Sequence, residues 1–323
     1  MTTRRQLITA ATATATLGAL TALARAQSYP TRPIKYICPW PAGGSTDAVM
    51  RAIAESAGRA LGQQIIVENK PGAGGLLGAV ELVNARPDGY TLAQIPHGAF
   101  RIPHMQKVSF NTLTDFTWIA CLTGYTFGMV VPADSPIRNI ADLVAWARAK
   151  PGEFTYGSTG TGTSPHLAVE EFAQRAGIKL NHIPFKGNAE NMQAVLGGHV
   201  MAASDATGWA PHVESGRLRL IATYGSQRTK RWPNVPTLDE LGYKTVSDSP
   251  FGVCGPKGMD PALVQTIHDA FKKTLDDPAV LSSFNRYDQT VIYMNTAQYT
   301  RFARDTFEAE RATIERLGLA KKG

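Results

Sequence analysis

Two rhythms of apolar positions alternate along this chain. Short runs rich in strand-forming residues, at 34–39 (IKYICP), 64–69 (QIIVEN) and 90–96 (YTLAQIP), are separated by stretches whose apolar residues recur every three or four positions. Met50, Ile53, Ala57 and Leu61 mark one buried face of a helix starting near Thr46, which Ser45 or Thr46 can cap and whose first turn suits Asp47. A second helix is predicted over 76–85, closed by the turn Pro87-Asp88-Gly89. This βαβαβ order is the grammar of a parallel sheet with helices on its faces. The pattern then repeats. A strand at 127–132 (FGMVVP) leads to a helix capped by Asn139 and stopped by Pro151-Gly152. FTYG, a helix from Pro165 to Ala176, LNHIP, a helix over Asn188–Leu196 and VMAAS form another βαβαβ run, and LRLIAT adds a strand. After the irregular, proline-rich QRTKRWPNVPTLDELGY, the strand FGVCGP begins a mainly helical tail. Its long last helix, about 296–317, carries Phe302, Phe307, Ile314 and Leu317 on related faces.

The fold class expected is α/β, with two doubly wound lobes. Lobe 1 is assigned to 27–125 plus 249–323 and lobe 2 to 126–248. Doubly wound sheets place ligand loops at the carboxyl ends of their parallel strands. Three glycine-rich stretches fall at such places: PWPAGGSTD (39–47), NKPGAGG (69–75) and YGSTGTGTSPH (156–166). Each follows a strand and precedes a helix, so each offers unpaired backbone N–H groups at the positive end of a helix, which is an anion site.

Composition narrows the partners. Residues 1–26 read as a targeting segment: Arg4 and Arg5 form a positive start, an Ala/Leu/Thr run follows, and Ala24-Arg25-Ala26 is a small-x-small cleavage site. The run is diluted by threonines and short for a membrane anchor. Thr3-Arg4-Arg5 resembles a twin-arginine signal, and a general secretory signal reads equally well. The mature chain is therefore expected to be exported. Removing Arg4, Arg5 and Arg25 from the 33 basic residues leaves 30 against 26 acidic ones, a mild excess that favours small anions. There is no basic tract with interleaved aromatics, so no nucleic-acid partner is expected. Cys38, Cys121 and Cys254 lie far apart, each in a predicted strand, and are expected as buried, unpaired thiols; one disulfide with a free thiol is the alternative. No spacing suggests a metal.

Enzyme motifs fail one by one. PGAGGLLG lacks the third glycine of a dinucleotide fingerprint at its required step, and Ile95 and Pro96 stand where its acidic residue belongs. No cofactor is expected. Tyr156 occupies the first glycine position of a nucleophile elbow around Ser158. Ser158, His166 and Asp205 supply the residue types of a triad, which keeps a secreted hydrolase as a rival reading.

Taken together, YPTRPIKYICPWPAGGSTDAVMRAIAE, GQQIIVENKPGAGGLLGA, ARPDGYTL, HIPFKGNAENMQAVLGGHV and SGRLRLIATYGSQRTKRWPNVPTLDELGY, with the stretch around YGSTGTGTSPH, resemble the Bug family. These are the TctC-type periplasmic solute receptors of tripartite tricarboxylate transporters. The resemblance implies a type II periplasmic-binding fold whose lobes, joined by two crossovers, close on a small carboxylate: a di- or tricarboxylate, an acidic amino acid or an aromatic acid. It implies delivery to membrane carrier subunits by a monomeric, non-catalytic receptor, with a sensor docking to a signalling domain as the alternative role. The positions matching the family's first ligand loop are Pro41, Ala42, Gly43, Gly44 and Thr46, with Trp40 where many members have Phe. Those of the second are Gly72, Ala73, Gly74 and Gly75. Lobe 2 matches through Ser158, Thr159, Thr163 and Ser164, and through Asp205.

Departures from the family pattern fall on ligand chemistry. HGAFRIPHM (97–105) brings His97 to a strand end and Arg101 to a position usually polar or apolar. Arg101 reads either as a fork for a second ligand carboxylate or as a salt bridge on a surface loop. His97 reads as a ligand donor or a structural histidine. Trp40 and Trp209 are candidate apolar walls, and Lys186 is a candidate for a ligand or cross-lobe contact.

Overall fold

The computed structural model describes residues 29–321, so the targeting segment lies outside the described residues. In chain order the first half contains β1 (Ile34–Cys38), α1 (Ser45–Leu61), β2 (Ile65–Asn69), α2 (Leu76–Val83), β3 (Thr91–Ala93), α3 (Gly98–Met105) and β4 (Phe116–Tyr125). Then follow β5 (Phe127–Pro132), α4 (Ile140–Ala149), β6 (Thr155–Ser158), α5 (Ser164–Ala176), β7 (Asn181–Pro184), α6 (Asn188–Leu196), β8 (Ala202–Ala206), α7 (Ala210–Glu214) and β9 (Leu218–Thr223). The chain ends with β10 (Ser249–Pro256), α8 (Pro261–Lys273), α9 (Pro278–Arg286), β11 (Thr290–Met294) and α10 (Thr296–Arg316).

The strands form two sheets, ordered β11-β4-β10-β3-β1-β2 and β7-β6-β8-β5-β9. Each has a parallel core, β2-β1-β3 in one and β7-β6-β8 in the other. Each also admits one antiparallel strand arriving from the other lobe. β10 pairs with β3 and β4, and β5 pairs with β8 and β9. The two crossings, at Thr126 and ahead of Ser249, therefore lie side by side and form the hinge. Among the described residues no helix is long and apolar enough to cross a membrane.

The predicted helical face of α1 is found: Met50, Ile53 and Ala57 are buried against Ile34, Tyr36 and Cys38. β1 is buried on both faces, because Ile37 packs on the other side with Leu76, Ala79 and Phe100, and this double burial explains its unbroken apolar run. A second pair of layers encloses Met129, Tyr156, Phe172 and Tyr224. Asn139 caps α4 by accepting from the Asp142 N–H at 2.9 Å. The expected cap of α1 is not made: its N-cap is Gly44, without a side-chain bond, and Thr46 Oγ1 instead lies 3.0 Å from the Tyr125 hydroxyl. All three cysteines are buried and free. Burial pushes the Cys38 and Cys121 thiols up to about 12, so neither is a nucleophile at neutral pH.

Candidate functional site

All three glycine-rich loops sit at strand-to-helix junctions on the facing sides of the lobes. In the first, Asp47 ties the turn together. Its carboxylate accepts from the Gly43 N–H at 3.0 Å, from Asn69 Nδ2 at 2.9 Å and from Arg51 Nε at 3.1 Å. Burial works against the ionised form, but the Arg51, Gly43 and Asn69 bonds outweigh it and lower its pKa. Asp47 is thus structural, as its place in the first turn suggested. The second loop turns through four consecutive residues of positive φ: Gly72 (125°), Ala73 (49°), Gly74 (66°) and Gly75 (88°). Only glycine populates that region freely, and a Cβ on Gly75 would stand 3.0 Å from Pro96 and 3.3 Å from Trp40.

In the third loop the support is uncharged. Ser158 Oγ lies 2.7 Å from His182 Nε2, the His166 and His182 rings are 4.1 Å apart, and the Gly162 N–H donates to His166 Nδ1 at 3.2 Å. Burial, and for His166 also the charge of Arg101, depress these imidazoles to about 3 (His166) and about 4 (His182), so both are neutral near pH 7. Nothing in the sequence marked His182. The supposed triad is not assembled: Ser158 is fully buried on His182, His166 is taken by the Gly162 N–H, and Asp205 is held by Asn191 Nδ2 at 2.7 Å.

A cavity lies between the loops. Its empty space, counted out to the solvent at its mouth, is about 640 Å³. Ten of the anticipated residues line it: Trp40, Pro41, Gly44, Thr46, Gly74 and His97 from one lobe, and Thr159, Thr163, Ser164 and Asp205 from the other. Ala42, Gly43, Gly72, Ala73, Gly75, Arg101 and Ser158 are not on the wall. Gly43 is spent on Asp47, Gly75 packs behind the wall, and Ser158 holds its loop from inside. Trp209 is wholly buried, donating to the Asp205 carbonyl at 3.1 Å and packing on Trp232, so it is no ligand wall. Lys186 is exposed and off the cavity. The wall also includes Tyr125, Phe127 and Ser249 from the hinge, and Asn188 and Ala189 from the start of α6.

Four helices, α1, α3, α5 and α6, bring their first residues to this wall (Ser45, Gly98, Ser164 and Asn188), and none has a side-chain hydrogen bond capping its N-terminus. A helix end of this kind leaves orphan N–H donors and roughly half a positive charge, though at α3 the Ala99 and Phe100 N–H groups already donate to the Pro96 and His97 carbonyls, and Pro165 in the first turn of α5 has no N–H to offer. Among the described residues no Lys or Arg lines the cavity, and Tyr125, Phe127, Trp40 and prolines 41, 96 and 165 make its apolar surface. The one ionisable acid on the wall is Asp205. Burial raises its pKa to about 6, opposed by bonds from Asn191, Asn188 and the Ala206 N–H.

His97 fits its structural reading while also lining the cavity, and Arg101 makes a salt bridge as one of its readings had it, but a buried one rather than one on a surface loop. They lie at the start of a helix that the sequence had suggested was a loop, and they share a buried carboxylate. His97 Nε2 is 2.9 Å from Glu310 Oε1, and Arg101 Nε is 2.7 Å from Glu310 Oε2 in an ion pair without an aligned N–H bond. Burial disfavours the Glu310 charge, but Arg101 and His97 more than compensate and hold its carboxyl well below the usual range. Arg101 then reaches across the cleft, Nη1 donating to Ser164 Oγ at 2.9 Å. Other cross-lobe contacts join Arg316 to Glu171 at 2.7 Å, Arg231 to the Arg286 carbonyl at 2.6 Å, and Thr207 to the Tyr287 carbonyl. At Gly187 the lobes meet so closely that a Cβ would stand 2.6 Å from Pro41 Cδ.

Comparison with known proteins gives a consistent result. Residues 49–319 match the family described as "Tripartite tricarboxylate transporter family receptor". A Cupriavidus necator protein, "UPF0065 protein in gbd 5'region", is 50% identical, over 97% of this chain and 96% of its own. The solved periplasmic binding protein BugD superposes with a TM-score of 0.86 at 28% identity, over 91% of this chain and all of that one. An R. palustris protein solved with adipate shares the fold, with a TM-score of 0.86 at 24% identity, over 90% of this chain and 99% of its own.

Proposed function

We propose, from the premise that this chain belongs to the tripartite tricarboxylate transporter receptor family, that it captures a small organic carboxylate between its lobes and presents it to membrane carrier subunits. The observation carrying this reading is the convergence of four helix N-termini without side-chain caps on one cavity that, among the described residues, no Lys or Arg lines. Such ends hold anionic oxygens with backbone N–H groups. The hydroxyls of Ser45, Thr46, Thr159 and Ser164 add donors, and the Trp40, Tyr125 and Phe127 rings suit a hydrocarbon body.

Capture follows from the hinge. With lobe 1 spanning 27–125 and 249–323 and lobe 2 spanning 126–248, only two strands connect the half-sites. An anion that bonds to both halves shifts an open–closed equilibrium toward the shut form. The solved R. palustris neighbour's adipate is a carboxylate of the size range proposed. Export to the periplasm would follow from the targeting segment. A thermal-shift screen of di- and tricarboxylates, acidic amino acids, nicotinate and phthalates, beside neutral sugars, tests the reading. Stabilisation by one acid class is expected; stabilisation by sugars with no response to any acid would overturn it.

A further inference from the structure

Arg101 is 7% exposed, absent from the cavity wall, and yet joined to it. From behind, Glu310 of α10 holds the guanidinium at 2.7 Å and is itself fixed by His97 at 2.9 Å. In front, Arg101 Nη1 donates to the hydroxyl oxygen of Ser164, the first residue of α5 in the other lobe, at 2.9 Å. Ser164 does line the cavity.

Three consequences follow from this chain of contacts. A hydroxyl whose oxygen accepts from a cation keeps its own proton for a second acceptor. Among the described residues Ser164 Oγ has no other hydrogen-bond partner, so that proton is free for an oxygen in the cavity, and the cationic donor behind it makes it a stronger donor. Next, a guanidinium set against an uncapped helix N-terminus meets like charge, about half an elementary charge. Negative charge in the cavity removes that conflict. Finally, Arg101 and Ser164 belong to different lobes, so the contact exists only when the cleft is shut.

We infer that Arg101 is a positioning residue that couples lobe closure to negative charge in the cavity, acting through the Ser164 hydroxyl and selecting acids over their neutral isosteres without touching them. The inference rests on the receptor reading. It also explains how a pocket with no Lys or Arg on its wall is served by a buried cation, itself paired with Glu310, one bond away.

The test uses the mature protein with Ser164→Ala, with Arg101→Lys, and with the pair Arg101→Met/Glu310→Gln, which removes both buried charges together so that neither is left unpaired. Calorimetric titration compares succinate, adipate, nicotinate and L-glutamate with succinamide, adipamide, nicotinamide and L-glutamine. The expected result is an acid affinity about 10- to 100-fold weaker in Ser164→Ala and in the paired variant, matching the worth of one charge-assisted hydrogen bond. Affinity for the amides falls by less than that for the acids, combining the two changes costs no more than either alone, and Arg101→Lys recovers part of the loss. Small-angle scattering should show the acid-induced contraction of wild type diminished in the paired variant. An unaltered acid-to-amide ratio in all variants, or fully additive losses, overturns the inference while leaving the receptor reading in place. Failure of wild type to bind any of these acids overturns the receptor reading, and this inference with it.

Discussion

The two halves of the cavity are built by opposite means. On the first lobe the loops are braced by charge: Asp47 with Arg51 and Asn69, and Glu310 with Arg101 and His97. On the second they are braced by groups that must stay neutral, the adjoining His166 and His182 beside Ser158, and by a carboxyl, Asp205, whose ionisation is already hindered by burial. Ion pairs fix a loop while tolerating changes in pH above the carboxylate range. Neutral imidazoles make the lower-dielectric, better-packed support, and they fail once protonated. One lobe is therefore the pH-resistant half and the other the acid-sensitive one.

The largest effect expected is on packing in the second lobe. A Cβ on Gly157 would stand 2.0 Å from Asn191 Oδ1 and 2.8 Å from Phe185, displacing the amide that holds Asp205. Gly157→Val should cost about 3 kcal/mol by overpacking, read by urea denaturation, and should abolish acid binding. In the first lobe Asp47→Ala removes three side-chain bonds and should cost about 2 kcal/mol. A negligible cost in that variant would show that charge does not brace this half.

The sharpest probe of the contrast is the melting temperature between pH 4.5 and 6.5. In the unfolded chain His166 and His182 titrate near their ordinary value of about 6.5, but in the folded one at about 3 and about 4. Below pH 6.5 the unfolded chain takes up protons that the native state refuses, so stability falls with falling pH. Asp205 acts the other way. Raised to about 6, it keeps its proton in the fold while the unfolded chain loses it, so its contribution falls as pH rises through the same window. Two imidazoles outweigh one carboxyl, and the melting temperature is expected to rise from pH 4.5 to 6.5. In a His166→Gln/His182→Gln variant that rise should shrink, leaving the part owed to His97, whose pKa burial also lowers. The smallest effect concerns binding. An anion entering beside Asp205 favours its protonated form, so acid affinity should strengthen by less than about tenfold from pH 7.5 to 6, since a group at about 6 goes from almost wholly ionised to about half protonated there. Asp205→Asn should flatten this dependence in titration calorimetry.

Sequence reading located the parts of the site that are local. The first and third glycine-rich loops stand where strand gives way to helix, and glycine, proline and hydroxyl residues punctuate such junctions whatever the tertiary context. The elements of both βαβαβ runs were legible for the same reason, since each is set by its own apolar period. What was lost is non-local. Glu310 lies 209 positions beyond Arg101, and no spacing rule links them. Gly98 and Pro103 made α3 look like a loop, although the helix survives because α10 packs along it. Tyr125, Phe127 and Ser249 reach the cavity only because the crossings lie side by side. His182 sits in a four-residue strand without a motif, and its part emerges only when β6 is laid beside β7.

The near-collision of Gly187 with Pro41 has a mechanical consequence. A bare backbone there lets the jaws travel until one main chain rests on a rigid ring, and no side chain can yield any further. Any larger residue at 187 would strike that ring and hold the two halves of the molecule apart.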